Sequence, residues 1–252
     1  MRERFYVIIL GPLIVFMLMW GAYALIPNLP QQGEIISFGT LIAAALATLG
    51  RLAIAFVFAV VFAIPLALLT TTSKTLETIL LPVFDVLESI PILAIFPVIL
   101  ILFVQIDFLN GAAIFILFLN MLWNIVFAIV GGLKMIPKDI TSAARVFGLS
   151  GFSYLRRVIL PAVFPSLVTG SVLAVADGWN IIIVAEALHA YLPHGTPDQD
   201  LFGIGSILVN AAANAQNQLF LSAIVVMVVL IALLNYFVWQ KLLHYAQRFR
   251  FE

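Results

Sequence analysis

This chain has no cysteine and hardly any charge. Without cysteine, disulfides and thiolate metal sites are excluded. Charged residues make up 10% of its 252 residues and hydrophobic ones 64%, where a soluble domain is about a quarter charged and about half apolar. Mean hydropathy is +1.18. No water-soluble fold of this length hides so much apolar surface, so most of the chain is solvated by lipid. Net charge is zero, which argues against nucleic-acid binding as its main task. The sequence contains no phosphate-cradling GxxxxGK(S/T) loop, so the chain is not itself an ATPase and any driving energy comes from a partner or an ion gradient. It shows no internal repeat, which weakens an inverted-repeat secondary transporter.

What the chain does have is long apolar runs. A membrane span needs about 20 apolar residues at ~1.5 Å rise each. The first candidate, Phe5 to Ile26, follows Arg2 and Arg4. It is longer than the roughly 7–15-residue core of a signal peptide, the rival reading. A polar loop, 27–36, comes next. Residues 37–50 are small and mildly apolar and read as interfacial, with Arg51 opening a second span to Thr70. After the polar turn around Lys74, the third stretch, Ile79 to Val104, contains Asp85, Glu88, Pro91 and Pro97. Its prolines predict a kinked or interrupted helix. Further spans are Ala112–Leu133, Pro161–Tyr191 and Leu219–Trp239.

The expected fold is therefore all-α, a polytopic membrane protein of about six transmembrane helices, forming one domain over 1–252. Eleven of the 12 basic residues then fall on one side, Arg51 being the exception. By the positive-inside rule that side is cytoplasmic and holds both termini.

One segment interrupts this pattern: "SAARVFGLSGFSYLRRVILPA", residues 142–162. It reads as helix, turn, helix. Asp139 or Thr141 can cap the first helix, and Gly148 suits the left-handed position after its end. Ser150 can cap a second helix over 151–160, and Leu160-Pro161 marks entry to the next span. Ala143 and Ala144 present small side chains that allow close approach of another surface; the alternative is an amphipathic helix resting on lipid headgroups.

The segment resembles the cytoplasmic motif of the membrane subunits of bacterial binding-protein-dependent ABC importers. In that family Glu-Ala-Ala is followed by three residues, Gly, nine residues and Ile-x-Leu-Pro. Here Ala143-Ala144, Gly148 and Val158-Ile159-Leu160-Pro161 keep the spacing, with Val for Ile. The resemblance extends through "ESIPILAIFPVIL", "LFLNMLWNIVFAIVGGL", "GWNIIIVAEALHA" and "FGIGSILVNA", over about residues 40–245. It is nearest the nitrate/sulfonate/bicarbonate-type permeases. It implies a type I importer permease: an additional N-terminal helix and loop (1–36), a core (37–245) and a coupling segment (135–161). It further implies that Ser142, Ala143, Ala144, Arg145, Gly148, Leu160 and Pro161 engage an ATP-binding subunit. Ser142 departs from the family's Glu, removing one possible ion pair.

The implied partners are cytoplasmic ATP-binding subunits, a second permease copy or close relative, an extracytoplasmic solute-binding protein near 192–218, and the bilayer. ATP and Mg would be bound by the ATPase, with no cofactor on this chain. The implied location is the bacterial or archaeal cytoplasmic (inner) membrane.

The intramembrane polar residues are candidates for the solute path: Glu88, Pro91, Asn124, Asp177, Trp179 and Asn180. Charges in lipid are costly and face protein or water. Asp85 and Glu88 share a helical face. Either they lie near the cytoplasmic interface and pair with Lys74 or an arginine, or Glu88 borders the path. Trp179 is an interfacial anchor or a path residue. Asn120 and Asn124 commonly would bond across helices. Asp177 falls in the outer half of the membrane and Glu186 near the outer surface, by rise along the helix. His189, His194, Asp198 and Asp200 have weak spacing for a metal site. Two other functions compete: an ion-coupled secondary transporter using Asp85, Glu88 or Asp177, and a membrane hydrolase. The hydrolase is disfavoured because its acids and histidines lie at different depths.

Overall fold

The computed structural model describes residues 37–192 and 194–249. The expected first span and loop, Phe5 to Ile26 and 27–36, lie outside the described residues, as do Arg2, Arg4, Pro193 and Arg250. The described residues form eight helices and no strands. In chain order these are α1 (Phe38–Thr71), α2 (Lys74–Ser89), α3 (Ile92–Gln105), α4 (Leu109–Lys134), α5 (Lys138–Val146), α6 (Gly151–Glu186), α7 (Ile204–Ala213) and α8 (Asn217–Phe249). Helices α1, α4, α6 and α8 are each long and apolar enough to cross a bilayer. The α2–α3 pair makes a fifth apolar element, bent by 84°.

Helix α1 corrects one expectation. Residues 37–50 are not an interfacial segment but the start of a 34-residue helix. Ser37 caps it, its hydroxyl accepting the Thr40 N–H at 3.2 Å. Ala44, Ala45, Thr48, Leu52, Ala55, Ala59, Ala63 and Ala67 make one buried stripe. Small side chains in that stripe let α1 lie close to α4, since lipid provides no hydrophobic force between helices and packing must hold them. At ~1.5 Å per residue α1 is about 51 Å long, well beyond a hydrocarbon core of ~30 Å.

The break between α2 and α3 falls at Ile90-Pro91. Ile90 is extended, and Pro91 stands just before α3, where its missing N–H costs no helical hydrogen bond. Helix α2 itself starts with Ser73, which accepts the Leu76 N–H at 3.1 Å.

Helices α4 and α6 pack most extensively against one another. A Cβ on Gly170 would overlap the Ala128 Cβ, so that glycine is a condition of this approach, while one on Gly178 would meet only the movable end of Met121. Met121, Leu122, Ile125, Val126, Ile129, Val163, Ala174, Val175 and Ile182 form the core between them and α1.

The span expected to begin at Pro161 instead begins ten residues earlier. Helix α6 runs unbroken from Gly151 through a widened turn at Leu155–Ile159. There the Leu160 N–H reaches back to the carbonyl of Leu155, five residues behind. Pro161 cannot donate to the carbonyl of Arg157, and the widened turn absorbs this without ending the helix. The same helix ends at Glu186 rather than near Tyr191, which lies in a short 3₁₀ turn, Leu188–Tyr191.

Candidate functional site

Three polar regions stand out along this bundle: a segment outside it, a seam within it and a knot at its far end.

The outer segment is α5 with the turn that follows. Helix α5 begins after Pro137, with Asp139 in its first turn, so neither Asp139 nor Thr141 is its cap. Pro137 starts the helix without needing its missing N–H, and the Thr141 hydroxyl donates to the Lys138 carbonyl. The chain leaves α5 at Gly148, whose φ of +67° is the left-handed conformation that favours glycine. Ser142, Ala143, Arg145 and Gly148 are exposed. Ala144 is turned inward and buried. Val146 and Phe147 are 85% and 80% exposed, and Phe152 is also exposed. Leu160 and Pro161 are half-buried within the body of α6.

The seam joins α2, α4 and α6. Asn124 on α4 donates through Nδ2 to Oδ2 of Asp177 on α6 at 2.7 Å. Next to Asn124, the Trp123 ring packs on Phe84 of α2 with centroids 5.4 Å apart. Asp85 and Glu88 follow Phe84 on α2 and are exposed, as are Asp177 and Asn180. Glu88 lies within electrostatic range of both Asp85 and Asp177. Among the described residues neither Asp85 nor Glu88 pairs with Lys74 or an arginine; the ion pair α2 makes is Glu77–Lys134 at 2.5 Å, in its first turn. Four of the six expected path residues, Glu88, Asn124, Asp177 and Asn180, thus sit along this seam. Pro91 is exposed at the α2–α3 bend. Trp179 departs from both readings. It is buried in the core among the α4–α6 side chains and faces neither the interface nor the seam. The reason is helical phase: at about 100° per residue Trp179 is turned about 200° from Asp177 and about 100° from Asn180, both of which are exposed. Asn120 keeps a buried Nδ2 without a hydrogen-bond partner among the described residues.

The knot was not anticipated. Glu186, expected near the outer surface, ends α6 but is fully buried. Its carboxylate accepts from Arg51 Nη1 at 2.6 Å, from the Thr48 hydroxyl at 2.8 Å and from the Gly205 N–H at 2.8 Å. Arg51 also donates to Asn110 Oδ1 at 2.8 Å and to the carbonyl of Phe202 at 3.0 Å. The Thr48 hydroxyl accepts the Ile204 N–H at 2.9 Å. Arg51, the one basic residue on the wrong side of the charge pattern, is explained by this partner. The available signal was that mismatch: an arginine inside a span needs an acid at its own depth.

The outer loop is anchored separately. Asp200 bonds the His189 ring at 2.8 Å, accepts the His189 N–H, and accepts from Asn210 at 3.0 Å. His194 and Asp198 are exposed. Among the described residues no three acids or histidines group to hold a metal ion.

Fold and seam together define a multi-pass helical membrane protein with a polar stripe open on one face of its bundle. The model of the family described as binding-protein-dependent transport system inner membrane component matches residues 59–244, and the chain belongs to that family. It is similar to the nitrate import permease protein NrtB of Leptolyngbya laminosa, 34% identical over 160 residues, covering 64% of this chain and 56% of that one. It is 36% identical over 141 residues to the bicarbonate transport system permease protein CmpB of Synechococcus elongatus, covering 56% and 50%. It is 28% identical over 144 residues to the taurine transport system permease protein TauC of Escherichia coli, covering 57% and 51%. The matched region spans about half the length of these relatives. In fold it is similar to a chain of the inward-facing MetNI methionine ABC transporter, with a TM-score of 0.69 at 18% identity, covering 83% of this chain and 97% of that one.

Proposed function

We propose that this chain is one of the two permease subunits of an ATP-driven importer of small solutes, and that α5 and the Gly148 turn are where a cytoplasmic ATP-binding subunit docks. The observation that carries the reading is the exposure of Val146 and Phe147, 85% and 80%, on a short polar segment outside the apolar bundle. A large apolar pair presented this way serves a protein surface better than water. Ser142, Ala143, Arg145 and Gly148 frame it, and buried Ala144 seats α5 on its own chain. Leu160 and Pro161 act through α6 rather than by touching the partner.

The mechanism follows from continuity. Helix α6 runs without interruption from Gly151, beside the docking turn, to Glu186. Its 36 residues are about 54 Å of rigid rod at ~1.5 Å each. Closure of the ATPase dimer, which binds ATP and Mg, pushes on the turn and moves Asp177 and Asn180 with it. The seam's acids stay open on one face of this chain, where a second permease copy or close relative would complete the path. An extracytoplasmic binding protein would deliver solute at the loops flanking α7. In this orientation α5 and the C-terminus are cytoplasmic, in the inner membrane of a bacterium or archaeon.

The relatives' names cover plain anions, nitrate and bicarbonate, and the zwitterion taurine. Asp85, Glu88 and Asp177 repel a bare anion but attract an ammonium group, so the seam favours a sulfonate that also carries an amine. The test is co-purification from detergent-solubilised membranes. An ATP-binding subunit should accompany the native chain and be lost from folded Gly148→Val and Phe147→Ser. No associated ATPase, or full retention by both variants, overturns the reading.

A further inference from the structure

We infer that Arg51, Glu186 and Thr48 form a positioning clamp that sets α7 and the loop before it against α1 and α6, and that delivery of solute depends on this alignment. The inference rests on the importer reading above and concerns the end of the bundle opposite α5.

The knot ties four separate pieces of chain. Arg51 and Thr48 come from α1, Asn110 from the start of α4, Glu186 from the end of α6, and Phe202, Ile204 and Gly205 from the entry to α7. The Arg51 side chain is 11% exposed and that of Glu186 is 0% exposed. The pocket for the carboxylate is shaped by glycine. A Cβ on Gly203 would overlap the Glu186 carboxylate, and one on Gly205 would collide with it and with the α6 backbone at Ile183. The Gly205 and Ile204 N–H groups, free because they open α7, are used by Glu186 and Thr48.

Stability alone does not account for this construction. A buried ion pair is commonly no more stabilising than apolar side chains of the same volume, because both charges must be desolvated. What it provides is direction: three donors converge on one carboxylate, and a guanidinium fork fixes two further acceptors. Helix α7 has only ten residues and cannot span the bilayer, so its place depends on what holds its ends. Glu186 is also nine residues beyond Asp177 on α6, about 13.5 Å at ~1.5 Å each. The element that would receive solute is thereby locked to the helix that carries the seam.

The absence of cysteine makes the test direct. Ile42 on α1 and Phe202 before α7 are both exposed, and cysteines placed there carry spin labels in the full-length chain. A pulsed dipolar measurement should give one narrow distance in the otherwise native protein. Glu186→Gln and Arg51→Met should broaden it, while Glu77→Gln, at the other end, should not. In the reconstituted complex with its ATPase and binding protein, taurine and nitrate each serve as probe solute. Both clamp variants should retain unstimulated ATP hydrolysis but lose about tenfold of the stimulation by the binding protein, a size typical of coupling between sites.

If the single variants do not fold, Arg51→Met with Glu186→Met removes both charges and keeps the volume. The clamp predicts a folded protein with a broad distance and lost stimulation. A narrow distance with full stimulation in that double variant means the pair is only filler and overturns the inference. If the native complex shows no ATPase or no stimulation, the importer reading fails, yet the distance measurement still decides whether the clamp exists.

Discussion

The two ends of α6 solve opposite problems. At the Glu186 end, charges are carried into the bundle and every one is matched: three donors on the carboxylate and three acceptors around the guanidinium fork. At the Gly151 end, apolar groups are carried out of the bundle and left uncovered, with Val146, Phe147 and Phe152 facing outward. A closed polar knot at one end of a rigid helix and an open apolar knob beside the other have different consequences. The first is complete within the chain and holds elements in place. The second is incomplete until something covers it.

That contrast can be broken at several points. The largest effect is expected from Glu186→Ala, which leaves Arg51 buried without its partner. Loss of one member of a buried pair costs about 3–5 kcal/mol, to be read as a marked fall in the thermal unfolding midpoint of the detergent-solubilised protein. Gly203→Ala should follow, at about 1–3 kcal/mol, since the added methyl displaces the carboxylate from a packed site. At the open end the pattern should reverse. Phe147→Ser is expected to change stability by no more than about 0.5 kcal/mol, as an exposed side chain does. The same change should sharply weaken ATPase co-purification.

In the seam, Asp177→Asn keeps a partner for Asn124 but removes a charge, so uptake of taurine should fall relative to nitrate in a vesicle assay. The smallest effect is expected from Glu77→Gln. Its pair with Lys134 is partly exposed on both sides and is worth about 0–1 kcal/mol. Equal effects at the two ends of α6 would dissolve the comparison.

Much of the fold was legible because it depends on local chemistry. Apolar runs, the Pro91 break and the Gly148 turn each follow from one or two residues and their immediate neighbours. The motif spacing from Ala143 to Pro161 was legible for the same reason. What was misread depended on context. Pro161 looked like a helix start, but a widened turn carried α6 through it. Trp179 looked like an anchor or a path residue, but its phase on α6 turned it into the core. Residues 37–50 looked interfacial because alanines are only mildly apolar; their value lies in how closely they let α4 approach.

By itself, then, the sequence determined the solvent, the all-α character and the family. These rest on composition and short-range spacing, which need no knowledge of what packs where. Only the tertiary structure decided that Arg51 and Glu186, 135 residues apart, are partners, that Ala144 faces inward, and that Asn124 meets Asp177. A side chain's partner in a bundle is set by helix crossing, depth and rotation together, and no stretch of sequence carries all three.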